Sequence, residues 1–170
     1  MSDSREDGLY RPNVGILLFD PRGRVWVGRR AGVPHGWQMP QGGIDEGETP
    51  RQACLRELAE EVGTDRATIV AEIGEWLRYD LPPELARSNW RGRYRGQRQK
   101  WFALRFEGRD EDFDLQPPDG GEAEFDAWRW VELERLTELI VAFKRPVYER
   151  VVEEFRTLVA DSASAPLKPR

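Results

Sequence analysis

The stretch Gly42–Thr64 reads GGIDEGETPRQACLRELAEEVGT, and its second half carries the start and stop signals of one helix. Thr49 suits the N-cap and Pro50 suits the first helical position. Thr49 and Gln52 also form a capping box, in which each side chain accepts a hydrogen bond from the other's backbone N–H. Gly63 is a typical residue for the end of a helix. The sequence therefore predicts a helix from Pro50 to about Gly63.

The predicted helix has an apolar face and an acidic face. At 100° per residue, four apolar residues share one side, namely Leu55, Leu58, Ala59 and Val62. Glu57, Glu60 and Glu61 share the other side, and Arg56 borders them. Neighbouring carboxylates repel one another, and a hard cation such as Mg²⁺ would remove that repulsion. The alternative, which three glutamates alone would favour, is a solvated charged face.

The loop in front of the helix favours the metal site. Gly42, Gly43 and Gly47 allow a tight turn with exposed backbone groups, and Glu48 stands just before the cap. The whole stretch resembles the Nudix box: a glycine, five residues, a glutamate, seven residues, then R-E-aliphatic-x-E-E-x-G-aliphatic. Eight positions match it in register, namely Gly42, Glu48, Arg56, Glu57, Leu58, Glu60, Glu61 and Gly63. Thr64 departs from the usual aliphatic residue, which bears on local packing rather than on the chemistry.

Composition predicts one folded domain in a reducing compartment. The chain has 170 residues, 39% of them hydrophobic, and seven tryptophans, which is enough for a real core. A net charge of −5 argues against a protein that coats nucleic acid, and we expect no DNA partner. Cys54 is the single cysteine, and no apolar run approaches twenty residues. We therefore expect a cytoplasmic protein with no membrane partner.

Hydrophobic patterns divide the chain into strands and helices around the box. The predicted strands are Tyr10–Phe19, a strand around Val25–Val27, Thr68–Tyr79, Gln99–Phe106 and Phe125–Val131, with a final helix at about Arg145–Ala160. Residues 29–41, 80–98 and 107–122 are predicted to be loops. We expect a flexible arm at 1–9, a single domain at 10–160 and a disordered tail at 161–170. A mixed sheet between helices fits this order, and the Nudix resemblance implies an α/β/α sandwich.

The resemblance also implies a reaction, the hydrolysis of a phosphoanhydride with the help of Mg²⁺ or, in its place, Mn²⁺. Five residues are the implied metal ligands: the backbone carbonyl at Gly42, the side chains of Glu57, Glu60 and Glu61, and Glu124 from a later loop. Arg56 would orient the carboxylates rather than touch the substrate. Any of the three box glutamates can serve as the base that deprotonates the attacking water, and we favour Glu61.

Six further segments narrow the resemblance. They are YRPNVGI at Tyr10, WQMPQGGI at Trp37, WLRYDLP at Trp76, GQRQKWF at Gly96, EFDAWRWV at Glu124 and VAFKRPVY at Val141. Together they resemble the bacterial RNA pyrophosphohydrolases and the related dinucleoside polyphosphate hydrolases, over residues 10–155. By that likeness, Arg11 binds the terminal phosphate and Tyr79 and Lys100 lie near the phosphate chain. Arg30, Val141 and Phe143 would enclose a nucleobase, although Phe143 on its own is more often a core residue and Tyr79 is equally typical of strand packing.

One basic segment is typical of a surface for a polyanionic substrate, and equally of a loop that is merely solvated. Residues 78–100 hold seven Arg or Lys against Asp80 and Glu84, a surplus of five positive charges, with Trp90 and Tyr94 interleaved. The leading hypothesis is conversion of 5′-triphosphate RNA ends to 5′-monophosphate with release of pyrophosphate or phosphate. Asymmetric cleavage of diadenosine tetraphosphate to ATP and AMP is the alternative. A non-catalytic nucleotide- or RNA-binding module is the alternative from another class, and the oligomeric state stays open.

Overall fold

A single mixed β-sheet runs through the part of the chain that the structure, a computed structural model, describes, which is residues 3–164. Its eight strands are β1 Tyr10–Phe19, β2 Arg24–Arg30, β3 Trp37–Gln38, β4 Gln41–Gly43, β5 Ala67–Glu72, β6 Leu77–Asp80, β7 Gly96–Phe106 and β8 Phe125–Glu132. β1 runs parallel to β7, and the other pairings are antiparallel. The predicted mixed sheet is therefore confirmed.

Helices cover both faces of this sheet. They are α1 Asp3–Asp7, α2 Pro50–Glu57, α3 Pro83–Ser88, α4 Leu136–Leu139 and α5 Arg145–Ser164. Alternate residues of β1 point to opposite faces, so Ile16 packs with Leu58 beside α2, whereas Leu17 packs with Tyr148 of α5. Two apolar cores result, one on each side of the sheet. This is the predicted α/β/α sandwich.

The box helix begins and ends at the predicted residues. Thr49 Oγ1 accepts from the Gln52 N–H at 3.2 Å, and Gln52 Oε1 accepts from the Thr49 N–H at 2.9 Å. Gly63 ends it with φ 80°, a left-handed conformation that glycine adopts without strain. The last turn, Leu58–Val62, is a π-helix, which the sequence did not predict and which is frequent at functional sites.

The two faces of the helix differ from the prediction. Leu55 is 47% exposed, so placing it on the buried face was wrong. The side that meets the sheet instead carries Ala53, Cys54, Leu58 and Val62, together with the carboxylate residue Glu57. Cys54 is fully buried, and burial raises the pKa of its thiol to about 12, as suits a packing residue.

Several element boundaries also differ. The predicted strand Thr68–Tyr79 is two strands, β5 and β6, because the chain bends at Gly74. The predicted loop 29–41 contains β3 and the first residue of β4, and Gly42 and Gly43 lie in β4 rather than in a turn. The predicted loop 80–98 contains α3 and the start of β7, while α5 continues past Ala160 to Ser164. The arm at 1–9 includes α1.

The predicted domain limits stay a prediction, and residues 1–2 and 165–170 lie outside the described residues. Within 3–164, none of the helices has the length and apolar character required to cross a lipid bilayer.

Candidate active site

A cleft of about 450 Å³ opens where β1, β4, β6 and β7 meet the box helix. Carboxylates and cations both line this cleft. The carboxylates are those of Glu57, Glu61 and Glu124, and the cations are those of Arg11, Arg30 and Lys144. The same three carboxylates also border an acidic crevice that extends along α2 towards Glu60, Asp119 and Glu122. The site therefore offers carboxylates to a cation and positive side chains to an anion within one cleft.

Gly42 makes room for the most deeply placed carboxylate. A Cβ atom on this residue would lie 2.0 Å from Cδ of Glu57, so the Glu57 carboxylate could not keep its place beside any other residue. The Glu57 carboxylate thus rests directly against the backbone of β4, and its residue is only 8% exposed. The glycine is required for close approach and not, as predicted, for a turn.

Glu61 presents a buried oxygen that lacks a partner. The backbone N–H of Gln41 donates to this carboxyl group, whose Oε2 is buried without a hydrogen-bond partner within the described chain. Burial, reinforced by the negative charges of Glu57 and Glu124, raises the pKa of Glu61 well above its ordinary value. Burial likewise raises the pKa of Glu57, although Arg56 opposes that shift. An unsatisfied buried carboxylate beside another carboxylate is costly unless a cation joins them.

Arg56 holds the acidic side chains in place from behind. Its guanidinium donates to both oxygens of Glu48 at 2.7 and 2.8 Å, to Glu57 Oε1 at 2.9 Å and to Glu60 Oε2 at 3.2 Å. It also donates to the Gly43 carbonyl at 2.8 Å, which ties the helix to β4. The hydrogen bonds from Arg56 lower the pKa of Glu48 to about 2. These contacts fit the orienting role predicted for Arg56.

The carboxylates of the cleft fit a hard divalent cation with an incomplete set of protein ligands. Among residues 3–164, no three Asp, Glu, His or Cys side chains converge into a metal site of their own. Mg²⁺ commonly binds one or two carboxylates and completes its shell with water and substrate phosphate. The Glu61 oxygen without a hydrogen-bond partner and the Glu57 carboxylate packed against Gly42 are consistent with this mode of binding. Glu60 lines the crevice with its side chain half exposed, and Glu124 stands at the entrance to β8.

The sequence did not identify one of the cations that line the cleft. Lys144 is 7% exposed, and its Nζ lies 3.4 Å from Gln41 Oε1. Burial, with a contribution from Arg30, lowers the pKa of its ammonium to about 8. Lys144 stands one residue before α5, where a lysine reads as a surface residue, so only its adjacency to Phe143 in VAFKRPVY pointed to the cleft.

Most of the predicted substrate residues meet in this cleft. The guanidinium of Arg11 lies so close over Gly43 that a Cβ there would be 2.1 Å from its Nη2. Tyr79 accepts a 2.7 Å hydrogen bond from Gln97, and its ring centre is 5.8 Å from that of Phe143. Arg30 lines the same wall.

Two predicted residues lie apart from this group. Val141 is 49% exposed at the surface before Phe143. Lys100 donates to the Gly74 carbonyl at 2.6 Å beside Trp76, away from the residues that line the cleft.

Comparison with known proteins supplies the remaining findings. A NUDIX domain model matches residues 9–151. An RNA pyrophosphohydrolase of Agrobacterium fabrum is 52% identical over 93% of this chain and 98% of its own length. One of Rhodospirillum rubrum is 56% identical over 85% of this chain and 86% of its own. Among solved structures, the E. coli dihydroneopterin triphosphate pyrophosphohydrolase has a TM-score of 0.64 at 22% identity, covering 86% of this chain and 99% of its own. A C. elegans Ap4A hydrolase has a TM-score of 0.63 at 21% identity, covering 88% of this chain and 98% of its own.

Proposed function

This chain belongs to the Nudix family of hydrolases, and on that premise we propose that it is a metal-dependent pyrophosphohydrolase acting on RNA 5′ ends. The reaction adds water across a phosphoanhydride of the 5′-triphosphate, leaving a 5′-monophosphate and releasing pyrophosphate, or phosphate in successive steps. The observation that carries the proposal is the single cleft in which Glu57 rests against Gly42 and which Arg11 and Lys144 also line.

The cations and the carboxylates of the cleft have different roles. Arg11 and Lys144 bind the anionic oxygens of the phosphate chain, and a permanently charged guanidinium can grip a phosphate with two donors. Arg30 and Phe143 offer flat surfaces for the first base. Glu61 accepts the proton of the attacking water, since its free oxygen is the one that no protein donor occupies. A bound Mg²⁺ or Mn²⁺ would neutralise phosphate charge and make that water more acidic.

A dinucleoside polyphosphate is the second candidate substrate, because it presents the same nucleotide followed by several phosphates. The names of the relatives at 50% identity or more favour RNA. The buried, single Cys54 suits the cytoplasm, in which either substrate would be met.

A side-by-side assay tests the function. The protein with Mg²⁺ is incubated with 5′-triphosphorylated RNA and with diadenosine tetraphosphate, and kcat/KM is measured for each. We expect RNA ends to become 5′-monophosphates, detected by their sensitivity to a 5′-monophosphate-dependent exonuclease, at the higher kcat/KM. RNA that keeps its triphosphate would contradict the proposal. A higher kcat/KM for diadenosine tetraphosphate would make the dinucleoside polyphosphate the preferred substrate.

Metal binding has a readout that is independent of catalysis. Adding Mg²⁺ or Mn²⁺ at about 100 times its Kd is expected to stabilise the fold by about 2.7 kcal/mol and raise Tm by about 5–10 °C. The rise is expected because the cation relieves the repulsion between Glu57 and Glu61. Differential scanning fluorimetry measures it, with NaCl at matched ionic strength as the control. An equal Tm in both salts would exclude a divalent site in the free protein.

A further inference from the structure

Five cations lie on or just before the paired strands β6 and β7, each close to an aromatic ring. Those on the strands occupy the face of the sheet opposite to Tyr79 and Gln97, which line the cleft. We call the five cations the basic strip, and its members are Arg78, Arg93, Arg95, Arg98 and Lys100. Their ring partners lie at 4.3 Å for Arg98 over Trp76, at 5.0 Å for Arg78 over Tyr10 and at 5.1 Å for Arg93 over Tyr94. Cations interleaved with aromatic rings are the usual composition of a surface that follows a single-stranded nucleic acid.

Sheet stability does not explain this concentration of charge. Arg78 of β6 is paired directly opposite Arg98 of β7, and Lys100 follows on the same face. Like charges directly opposite each other destabilise a sheet. Glu6 pairs with Arg78 at 3.2 Å and Asp80 with Arg95 at 2.8 Å.

The charge that remains is concentrated on β7. In the described chain, Arg98 and Lys100 form no ion pair, and Nε of Arg98 is buried without a hydrogen-bond partner. A surplus of positive charge therefore remains on this face, in a chain whose net charge is −5.

The segment 90–95 connects the cleft to the basic strip. Trp90 lines the cleft, where its ring lies 5.1 Å from the Arg11 guanidinium. Trp90 and Arg91 have φ of 48° and 58°, the left-handed region that non-glycine residues rarely adopt. This backbone turn sets the Trp90 ring edge-on to Tyr94 at 6.0 Å, within the cations of the basic strip. The Arg93 guanidinium lies 5.1 Å from the Tyr94 ring in turn, so a polyanion that leaves the cleft past Trp90 meets Arg93 next.

We propose that the basic strip binds the RNA segment downstream of the 5′ end that the cleft holds, an inference that rests on the proposed function. The cations contact phosphates, and the Trp76 ring, which is 37% exposed, stacks on a base, so binding is independent of sequence. A dinucleoside polyphosphate offers this surface fewer phosphates and bases than an RNA chain does. An acidic protein would be attracted by the same charges, but the contacts that lead from Trp90 in the cleft through Tyr94 to Arg93 favour RNA, whose chain of phosphates emerges from the cleft.

The experiment compares substrate lengths in the full protein. R78Q/R93Q removes two exposed positive charges of the strip. R66Q/R135Q removes two exposed positive charges elsewhere, each from one ion pair, and controls for net charge. The substrates are a 5′-triphosphorylated dinucleotide and a 5′-triphosphorylated 20-mer. Binding of a 5′-monophosphorylated 20-mer without divalent metal is measured across a salt series.

We expect R78Q/R93Q to lower kcat/KM about tenfold on the 20-mer, to leave the dinucleotide within twofold, and to flatten the salt dependence of binding. A loss of two phosphate contacts reduces the slope of log K against log salt by about 1.4. Equal losses on both substrates, or values that match those of R66Q/R135Q, would overturn the inference. Wild-type protein that leaves both triphosphates intact would instead refute the proposed function, and the salt series would still decide whether the strip binds RNA.

Discussion

Replacing Glu61 by glutamine is expected to lower kcat on 5′-triphosphate RNA by about 10²- to 10⁴-fold, the range for losing a positioned acid–base group. Glutamine has nearly the same shape, so it keeps the contact with the Gln41 backbone while losing the ability to accept a proton. Its amide also binds a hard cation poorly, and the Tm rise with Mg²⁺ should shrink in the same variant. Single-turnover kinetics with RNA in the presence of saturating Mg²⁺ measures the loss.

The fold of this variant should remain intact. Removing the charge of Glu61 ends its repulsion with Glu57, so Tm without metal is expected to equal or exceed that of the wild type. Glu46→Gln is the matched control, because Glu46 is an exposed glutamate of the same segment. Activity of E61Q within threefold of E46Q would mean that another residue is the base and that Glu61 is dispensable as a ligand. Equal and very low activity in all three proteins would favour the non-catalytic binding module.

The box helix could be predicted because its signals are local. Thr49, Gln52 and Gly63 act through hydrogen bonds and backbone angles within a few residues, and the structure contains each of them. Predicting which side of the helix meets the sheet would have required knowledge of the tertiary contacts. Periodicity separates two faces but does not say which meets the sheet, and Leu55 was placed on the wrong side for that reason.

The rest of the site depends on contacts between distant parts of the chain. The strand containing Gly42 reads as a turn in isolation, because its pairing partner Val14 lies 28 residues earlier. The segment 90–95 has no helical or strand periodicity, yet it places Trp90 against Arg11. Lys144 is buried because elements from both halves of the chain enclose it. The sequence showed only the box and the matched segments around it. These predicted the metal-dependent chemistry but not the geometry of the site.

Replacing Gly42 by alanine is expected to abolish most activity, with a loss of at least about 10²-fold in kcat, through one added methyl group. Its Cβ would stand 2.0 Å from Cδ of Glu57, and this neighbour is held by Arg56 at 2.9 Å rather than free to swing away. Glu57 must therefore shift by about 1 Å or more, and displacements of that size in a catalytic group cost about 10²-fold. Overpacking of this kind also destabilises by about 1–3 kcal/mol, which a lower Tm would report.

Gly74→Ala is the control for this change, since nothing lies within 4 Å of the position that its Cβ would take. It adds the same methyl group to a glycine that lies outside the cleft, so kcat should stay within twofold of wild type. The two losses in G42A have different causes and can be separated by raising Mg²⁺. Extra metal should recover part of the Tm but little of kcat, because it favours a folded state in which Glu57 is still displaced. Wild-type kcat in G42A would show that the contact between Gly42 and Glu57 is not what positions the carboxylate, and the site would have to be built around Glu61 and Glu124 alone.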